Sequence, residues 1–305
     1  MLAPIVLFTY NRPLHTKLVL DALAENTEAA NSILHVYCDG PKEGESADTL
    51  KNISDVKSLV NAESRFKEIR VFEQKINIGL ADSIIKGVSE TLERFDRLIV
   101  LEDDITPSRG FLEYMNNALN LYNHDYQVGC IHGWNYNLDT RNQPESTFFL
   151  KGADCWGWAT WARSWKNFNP NGQELLDNIY KRGLSFEFNR RGTHQFITML
   201  QDQIDKKNNS WAIRWHASLI LANNYCLHPT KPIVKNIGLD NSGVHCGNHS
   251  YEQNPVDYIE LRKIKIEEGD WFFNEYRALE KNNATAEKPY IWQTLKRGLK
   301  RLLRH

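Results

Sequence analysis

Leu98-Ile99-Val100-Leu101-Glu102-Asp103-Asp104 limits the fold of this chain more than any other stretch. A short apolar run rich in β-branched residues is the pattern of a strand buried on both faces of a parallel sheet. Ile105-Thr106-Pro107-Ser108 ends it before a helical stretch near Gly110, so the three acids fall at the carboxyl end of the strand. Open α/β sheets bind ligands at that edge. Adjacent carboxylates repel one another unless water or a cation neutralises them, and hard divalent ions take oxygen ligands. A solvated acidic loop is the plainer alternative. The position at the end of a buried strand favours a ligand site.

The residues before this stretch alternate between strand and helix. Pro4 to Tyr10 reads as a first strand, Asn11-Arg12-Pro13 as a turn and His15 to Leu23 as a helix. Ile33 to Tyr37 gives a second strand ending on Cys38-Asp39-Gly40-Pro41, Lys51 to Val60 a helix, and Ile69 to Phe72 a third strand. Asn77-Ile78-Gly79 is a turn opening the helix that leads to the acidic strand. This order predicts an α/β fold with a mostly parallel, doubly wound sheet flanked by helices.

Composition removes several classes of function. With 37 Lys plus Arg against 38 Asp plus Glu, no global basic field points to nucleic acid. The five cysteines, Cys38, Cys130, Cys155, Cys226 and Cys246, include no C-x-x-C spacing, so neither a disulfide framework nor a zinc ribbon is expected. The apolar start, Leu2 to Phe8, has no charged n-region, and no apolar stretch approaches membrane-spanning length. The expectation is a cytoplasmic protein.

Four ordered features carry a family resemblance: the Pro4-Ile5-Val6-Leu7 strand followed by Arg12, the Asp39-Gly40 strand end, the Asn77-x-Gly79 turn, and Glu102-Asp103-Asp104. The chain resembles the GT-A glycosyltransferases that use nucleotide-sugar donors, and within them N-acetylglucosaminyltransferase I and bacterial family 2-like sugar transferases. The resemblance continues through Pro107, Phe111 to Tyr114 and Trp134-Asn135 to Gly157-Trp158. It implies a GT-A, Rossmann-like sheet. Residues 1–125 form the donor-binding half, 126–275 the acceptor-side half of the same domain, and 276–305 a linker with a basic C-terminal helix.

The resemblance implies roles that make chemical sense on their own. Asp104 would bind a divalent metal, Mn²⁺ or Mg²⁺, that bridges the diphosphate of a UDP-sugar. Asp103 would face ribose or sugar hydroxyls, with Glu102 beside it, and Asp39 would accept from uracil N3. Arg12 would reach the diphosphate, because a guanidinium fork suits phosphate oxygens. Thr9, Tyr10, Asn77 and Gly79 would line the same donor pocket. Trp156-Gly157-Trp158 aligns with the Gly-Trp element near the donor sugar, in a stretch where Trp161 and Trp165 also fall. Aromatic faces suit packing on sugar rings, and at least Trp161 or Trp165 is expected in the core.

An inverting transfer needs a base on the acceptor hydroxyl. The stretch where relatives carry it corresponds to Asn208 to His216, which contains no acid. Asp205 is the first substitute, with Asp154 beside the tryptophans and His216 as others. In Asp240 to Gly247, His245 is the candidate for a C-terminal histidine returning to the metal, which would favour manganese. A zinc site at His245, Cys246 and His249 lacks a second ligand pair at normal spacing.

Trp292, Leu295, Leu299, Leu302 and Leu303 alternate with Lys296, Arg297, Lys300, Arg301 and Arg304. This is a basic amphipathic helix that would either rest on an anionic membrane surface or dock on its own domain. Membrane contact fits an acceptor that is a glycan or lipid-linked glycan in surface polysaccharide or glycoconjugate assembly. Two rival readings are a nucleotidyltransferase and a non-catalytic nucleotide- or sugar-binding relative. Against the first, Thr9-Tyr10-Asn11-Arg12-Pro13 has no glycine for a phosphate loop.

Overall fold

Strand β1 (Ile5–Thr9) sits between two parallel neighbours, β2 (Ile33–Cys38) and β4 (Arg97–Glu102). The computed structural model describes residues 1–136, 138–141, 143, 145–240 and 253–286. Side chains of the last helix are described as far as Lys281. His245, Cys246, His249 and the basic stretch from Trp292 lie outside the described residues.

Strand β3 (Glu68–Glu73) pairs with β2 at one edge, so the first half is the expected parallel β3-β2-β1-β4 unit. Its crossovers are α1 (Pro13–Ala24), α2 (Ala47–Asn61) and α3 (Leu80–Leu92). Local chemistry sets their starts. Pro13 opens α1, where its missing N–H costs nothing. Ser46 caps α2 by accepting from the Thr49 amide.

Because strand side chains alternate between faces, the buried run at β4 feeds two cores. Ile99 and Leu101 join Ile5, Leu7, Leu34 and Val36 beneath α1 and α2. Leu98 and Val100 join Val6 and Phe8 beneath α3.

The second half departs from a purely parallel sheet. After the short β5 (Ile105–Pro107) and α4 (Phe111–Leu121) come β6 (Val128–His132), β7 (Thr147–Lys151) and β8 (Trp158–Trp161). Strand β8 enters antiparallel between β4 and β6, while β9 (Tyr225–Pro229) runs parallel to β6 and antiparallel to β7. The eight-stranded order is β3-β2-β1-β4-β8-β6-β9-β7, a mixed α/β sheet, mostly parallel, with antiparallel pairings confined to the second half.

Four short helices follow β8: α5 (Ala162–Trp165), α6 (Gly172–Lys181), α7 (Ser185–Phe188) and α8 (Phe196–Ile204). The last three pack on one face of α9 (Trp211–Leu221) through Leu176, Phe188, Leu200 and Ile213. The other face of α9 lays Trp211 and Trp215 on the sheet. A two-stranded ladder, β5 with β10 (Val234–Asn236), lies beside the acidic strand end. Helix α10 (Asp270–Ala286) seats Phe272 and Phe273 against Phe148 and Leu150. It runs through the residues from which the linker was expected to start. No helix among the described residues is long and apolar enough to cross a membrane.

Candidate functional site

The strand order reverses at β1. The chain goes from β1 to β2 and β3 on one side and then crosses to β4 on the other. The crevice at the carboxyl ends of β1 and β4 is therefore a topological switch point, where open α/β sheets take their ligands. Arg12 follows β1 and Asp103-Asp104 follow β4, so the topology alone brings them together. Arg12 Nη2 is hydrogen-bonded to Asp103 Oδ1 and lies 3.1 Å from Asp104 Oδ2. Both aspartates are nearly buried.

Burial, only partly offset by Arg12, pushes the Asp103 carboxyl up to about 6. The Glu102 carboxyl is raised too, by burial and by the charges of Asp104 and Asp103. Three acids packed this closely hold their charge only with a cation beside them.

The β5–β10 ladder folds the C-terminal half over the acids. Ile237 N–H donates to the Asp104 carbonyl at 2.8 Å. Gly238 packs so tightly that a Cβ there would lie 2.3 Å from Asp104 Oδ2. Two residues on, Asp240 Oδ2 lies 3.2 Å from His15 Nε2 in the first turn of α1. Hard carboxylate oxygens, the cradle that glycine leaves at Asp104, and a guanidinium already serving as counter-cation all suit a divalent ion. His15, Gly238 and Asp240 were missed from sequence as site residues. Their convergence depends on the β5–β10 pairing across more than a hundred residues, which no local pattern announces.

Asp39 is placed differently from expectation. Its Oδ1 accepts from the amides of Gly40 and Ile78 at 2.8 and 2.9 Å, and its Oδ2 from Asn77 Nδ2 and the Gly79 amide at 2.8 and 2.9 Å. A carboxylate has about four lone-pair sites, and all are engaged. Asp39 therefore clamps the Asn77–Gly79 turn onto the end of β2. Thr9 turns its hydroxyl toward Cys38 Sγ, at 3.3 Å, inside the sheet. Tyr10 donates to Glu45 Oε1 at 2.7 Å.

The tryptophans divide between fully buried and partly exposed. Trp158 is fully buried, stacked on Trp211 and packed against Trp165 and Trp215. It cannot face a sugar, which corrects the expectation for it. Trp161 and Trp165 are core as well. Trp156 remains partly exposed, 5.3 Å from Trp134 between ring centroids. Gly157, at φ +61°, lies against Val234 and Phe111, where a side chain would collide.

None of the three base candidates is free to take a proton beside the acids. Asp205 lies exposed at the end of α8, paired with Lys207 at 3.0 Å. His216 is buried, with Nδ1 accepting from the Ala153 amide at 3.1 Å and Nε2 3.0 Å from the Phe188 carbonyl. Burial holds its imidazole down to about 3, so it is a neutral bracket between helix and loop.

Asp154 is hydrogen-bonded to Tyr136 and Arg190. Burial favours its neutral form, but His132 and Arg190 outweigh that and hold its carboxyl far below the usual range. His132 is itself lowered to about 4 by burial, so at neutral pH Arg190 carries the effect. His132, Asp154 and His228 bring ligand-type atoms within 4.8 Å of one another, a second grouping with metal spacing. Its His132 Nε2 accepts from the Trp156 amide at 3.0 Å, and Arg190 neutralises its carboxylate.

The chain is thus a mixed α/β sheet with a charged cluster at its switch point, the place where open α/β sheets take their ligands. No family model matches it, and no curated protein matches it. Among solved structures it is similar to S. aureus TarS, at 13% identity and TM-score 0.34 over 56% of this chain and 30% of that one. A structure of TarS residues 1–349 gives 13% and 0.35 over 55% and 49%. The mannosyltransferase PcManGT from Pyrobaculum calidifontis, in complex with GDP-Man and Mn²⁺, gives 12% and 0.37 over 59% and 47%. The chain thus spans less than half the length of each of these structures.

Proposed function

We propose that this chain is a metal-dependent glycosyltransferase that moves a sugar from a nucleotide-sugar donor, with UDP-sugars the first class to test. The observation that carries the reading is the meeting of Arg12, Asp103 and Asp104 at the switch point of the sheet. A guanidinium beside paired carboxylates at strand ends suits a diphosphate with its cation. Asp104 would hold the ion, with Gly238 leaving it room. When bound, such an ion neutralises charge on the departing diphosphate. Arg12 would take phosphate oxygens, and Asp103 would accept from donor hydroxyls. Trp156, which is partly exposed, would offer its ring face to the sugar.

The acceptor we propose is a glycan or lipid-linked glycan of surface polysaccharide or glycoconjugate assembly, and an inverting outcome. A second reading, a sugar-nucleotide binder without transfer, is favoured by one observation: Asp205, Asp154 and His216 are all committed to other partners.

Calorimetric titration of UDP-sugars and GDP-sugars with Mn²⁺, with Mg²⁺ and with chelator, on wild type and Asp104→Ala, tests the first reading. Metal-dependent binding lost in the variant supports it, and binding unaffected by chelator overturns it. Slow donor hydrolysis by the wild type, absent from Asp104→Ala, would set aside the second.

A further inference from the structure

Arg12 stands where the metal would act. Its Nη2 bridges Asp103 Oδ1 and Asp104 Oδ2, and its other terminal nitrogen, Nη1, is buried without a partner. The guanidinium is charged at every accessible pH. Asp104 Oδ2, the oxygen that Arg12 approaches, is also the one that a Cβ at Gly238 would meet at 2.3 Å, so the carboxylate has little freedom to turn. The position between the two carboxylates, where a cation would neutralise both, is therefore held by this chain's own side chain.

A divalent ion reaching Asp104 must move the guanidinium off. Arg12 would then leave two carboxylates for water, which costs charge-assisted hydrogen bonds that an ion alone does not return to it. An incoming diphosphate does return them, because its oxygens match the same planar fork. The unpartnered Nη1 is already available as a further donor to such a ligand.

We propose that Arg12 is an exchange residue that couples metal to nucleotide: it neutralises Asp103 and Asp104 in the free protein and transfers to the diphosphate when ion and nucleotide enter together. This rests on the donor-site reading above and adds to it an order of events. The ion alone binds weakly, and nucleotide tightens it. Coupling free energies between linked sites commonly correspond to roughly 5- to 150-fold in affinity, and about tenfold or more is expected here.

The test is an electron paramagnetic resonance titration of Mn²⁺ into the full chain, with and without UDP, for wild type, Arg12→Met, Arg12→Lys and Asp104→Ala. Wild type should bind Mn²⁺ alone weakly and about tenfold more tightly with UDP. Arg12→Met should bind Mn²⁺ alone about tenfold more tightly than wild type, a gain that a merely structural arginine would not give, and UDP should add little. Arg12→Lys keeps the charge without the fork and should fall between, which keeps the test available if the methionine variant does not fold. Mn²⁺ binding without UDP that is no tighter in either folded Arg12 variant, while wild type still binds Mn²⁺ with UDP, overturns the exchange and leaves the donor site standing. Absence of Mn²⁺ binding with UDP in wild type overturns the donor site itself, and the exchange with it.

Discussion

Asp154 Oδ2 lies 3.1 Å from Arg190 Nη2, and Arg190 is buried. Breaking a buried pair by removing one partner costs about 3–5 kcal/mol, because the remaining charge is left uncompensated. Arg190→Met should therefore lower the urea unfolding free energy by about that much, whereas the double variant Arg190→Met/Asp154→Leu should recover part of the loss. Equal destabilisation of the single and double variants would show that the pair is not what holds this loop.

Asp39 accepts four hydrogen bonds from the Asn77–Gly79 turn and Gly40. Asp39→Ala would leave several of these donors without a partner, at about 1–3 kcal/mol for each one that stays buried. A fall of roughly 3 kcal/mol in unfolding free energy is expected. Asp39→Asn should be nearly as harmful, because its NH₂ group opposes two of the donors. If Asp39 instead served a base, the same variants would leave stability unchanged and reduce only nucleotide affinity, and chemical denaturation beside nucleotide titration distinguishes the two.

Gly238→Ala places a methyl 2.3 Å from Asp104 Oδ2, at a position where one of the two must move. The Ile237 and Gly238 amides anchor the backbone there, so the carboxylate end is what turns, and it has to keep its direction to hold an ion. Metal-dependent nucleotide binding should weaken at least tenfold, about 1.4 kcal/mol, while the thermal midpoint changes little. Unchanged binding in calorimetry would remove Asp104 from the metal site.

Trp158 and Trp156 should separate in mutagenesis despite their shared motif. Trp158→Ala empties a core position among Trp165, Trp211 and Trp215, and loss of a buried aromatic costs about 3–5 kcal/mol. Trp156→Ala, at a partly exposed site, should cost less than about 1 kcal/mol and act on sugar-nucleotide affinity. Reversed effects in urea melts would mean that the core assignment is wrong.

These four sites also show where the sequence was legible. The buried run at β4 and its acids were readable because a strand covered on both faces leaves a continuous apolar word, and the βα order then placed Arg12 and Asp104 at one crevice. Trp158 was misread because a tryptophan beside a glycine reads the same on either side of a strand, and face depends on register against β4 and β6. The turn-clamping bonds of Asp39 were not legible, because a carboxylate saturated by backbone donors and a ligand carboxylate are the same letter. The antiparallel entry of β8 was likewise invisible, since pairing direction is a non-local property.

Histidine burial sets the pH dependence. His216 is held down to about 3 and His132 to about 4, in both cases first by burial. A histidine near 6.5 in the unfolded chain and well below that in the folded one takes up its proton more readily when unfolded. Stability is therefore full above about pH 6.5 and declines as pH falls, until the folded-state values are reached near 3 to 4. Each such histidine contributes a slope of up to about 1.4 kcal/mol per pH unit in that window. Glu102 and Asp103, raised by burial, oppose this trend, but the lowered histidines His35, His132, His194, His216 and His228 outweigh them, so unfolding free energies measured between pH 7.5 and 5 should fall for wild type. In His216→Gln, which can keep the bond to the Phe188 carbonyl without titrating, the slope should be shallower by up to one proton. A slope unchanged by that substitution would mean that His216 is already able to protonate in the folded protein, and so is not the neutral bracket between Ala153 and Phe188.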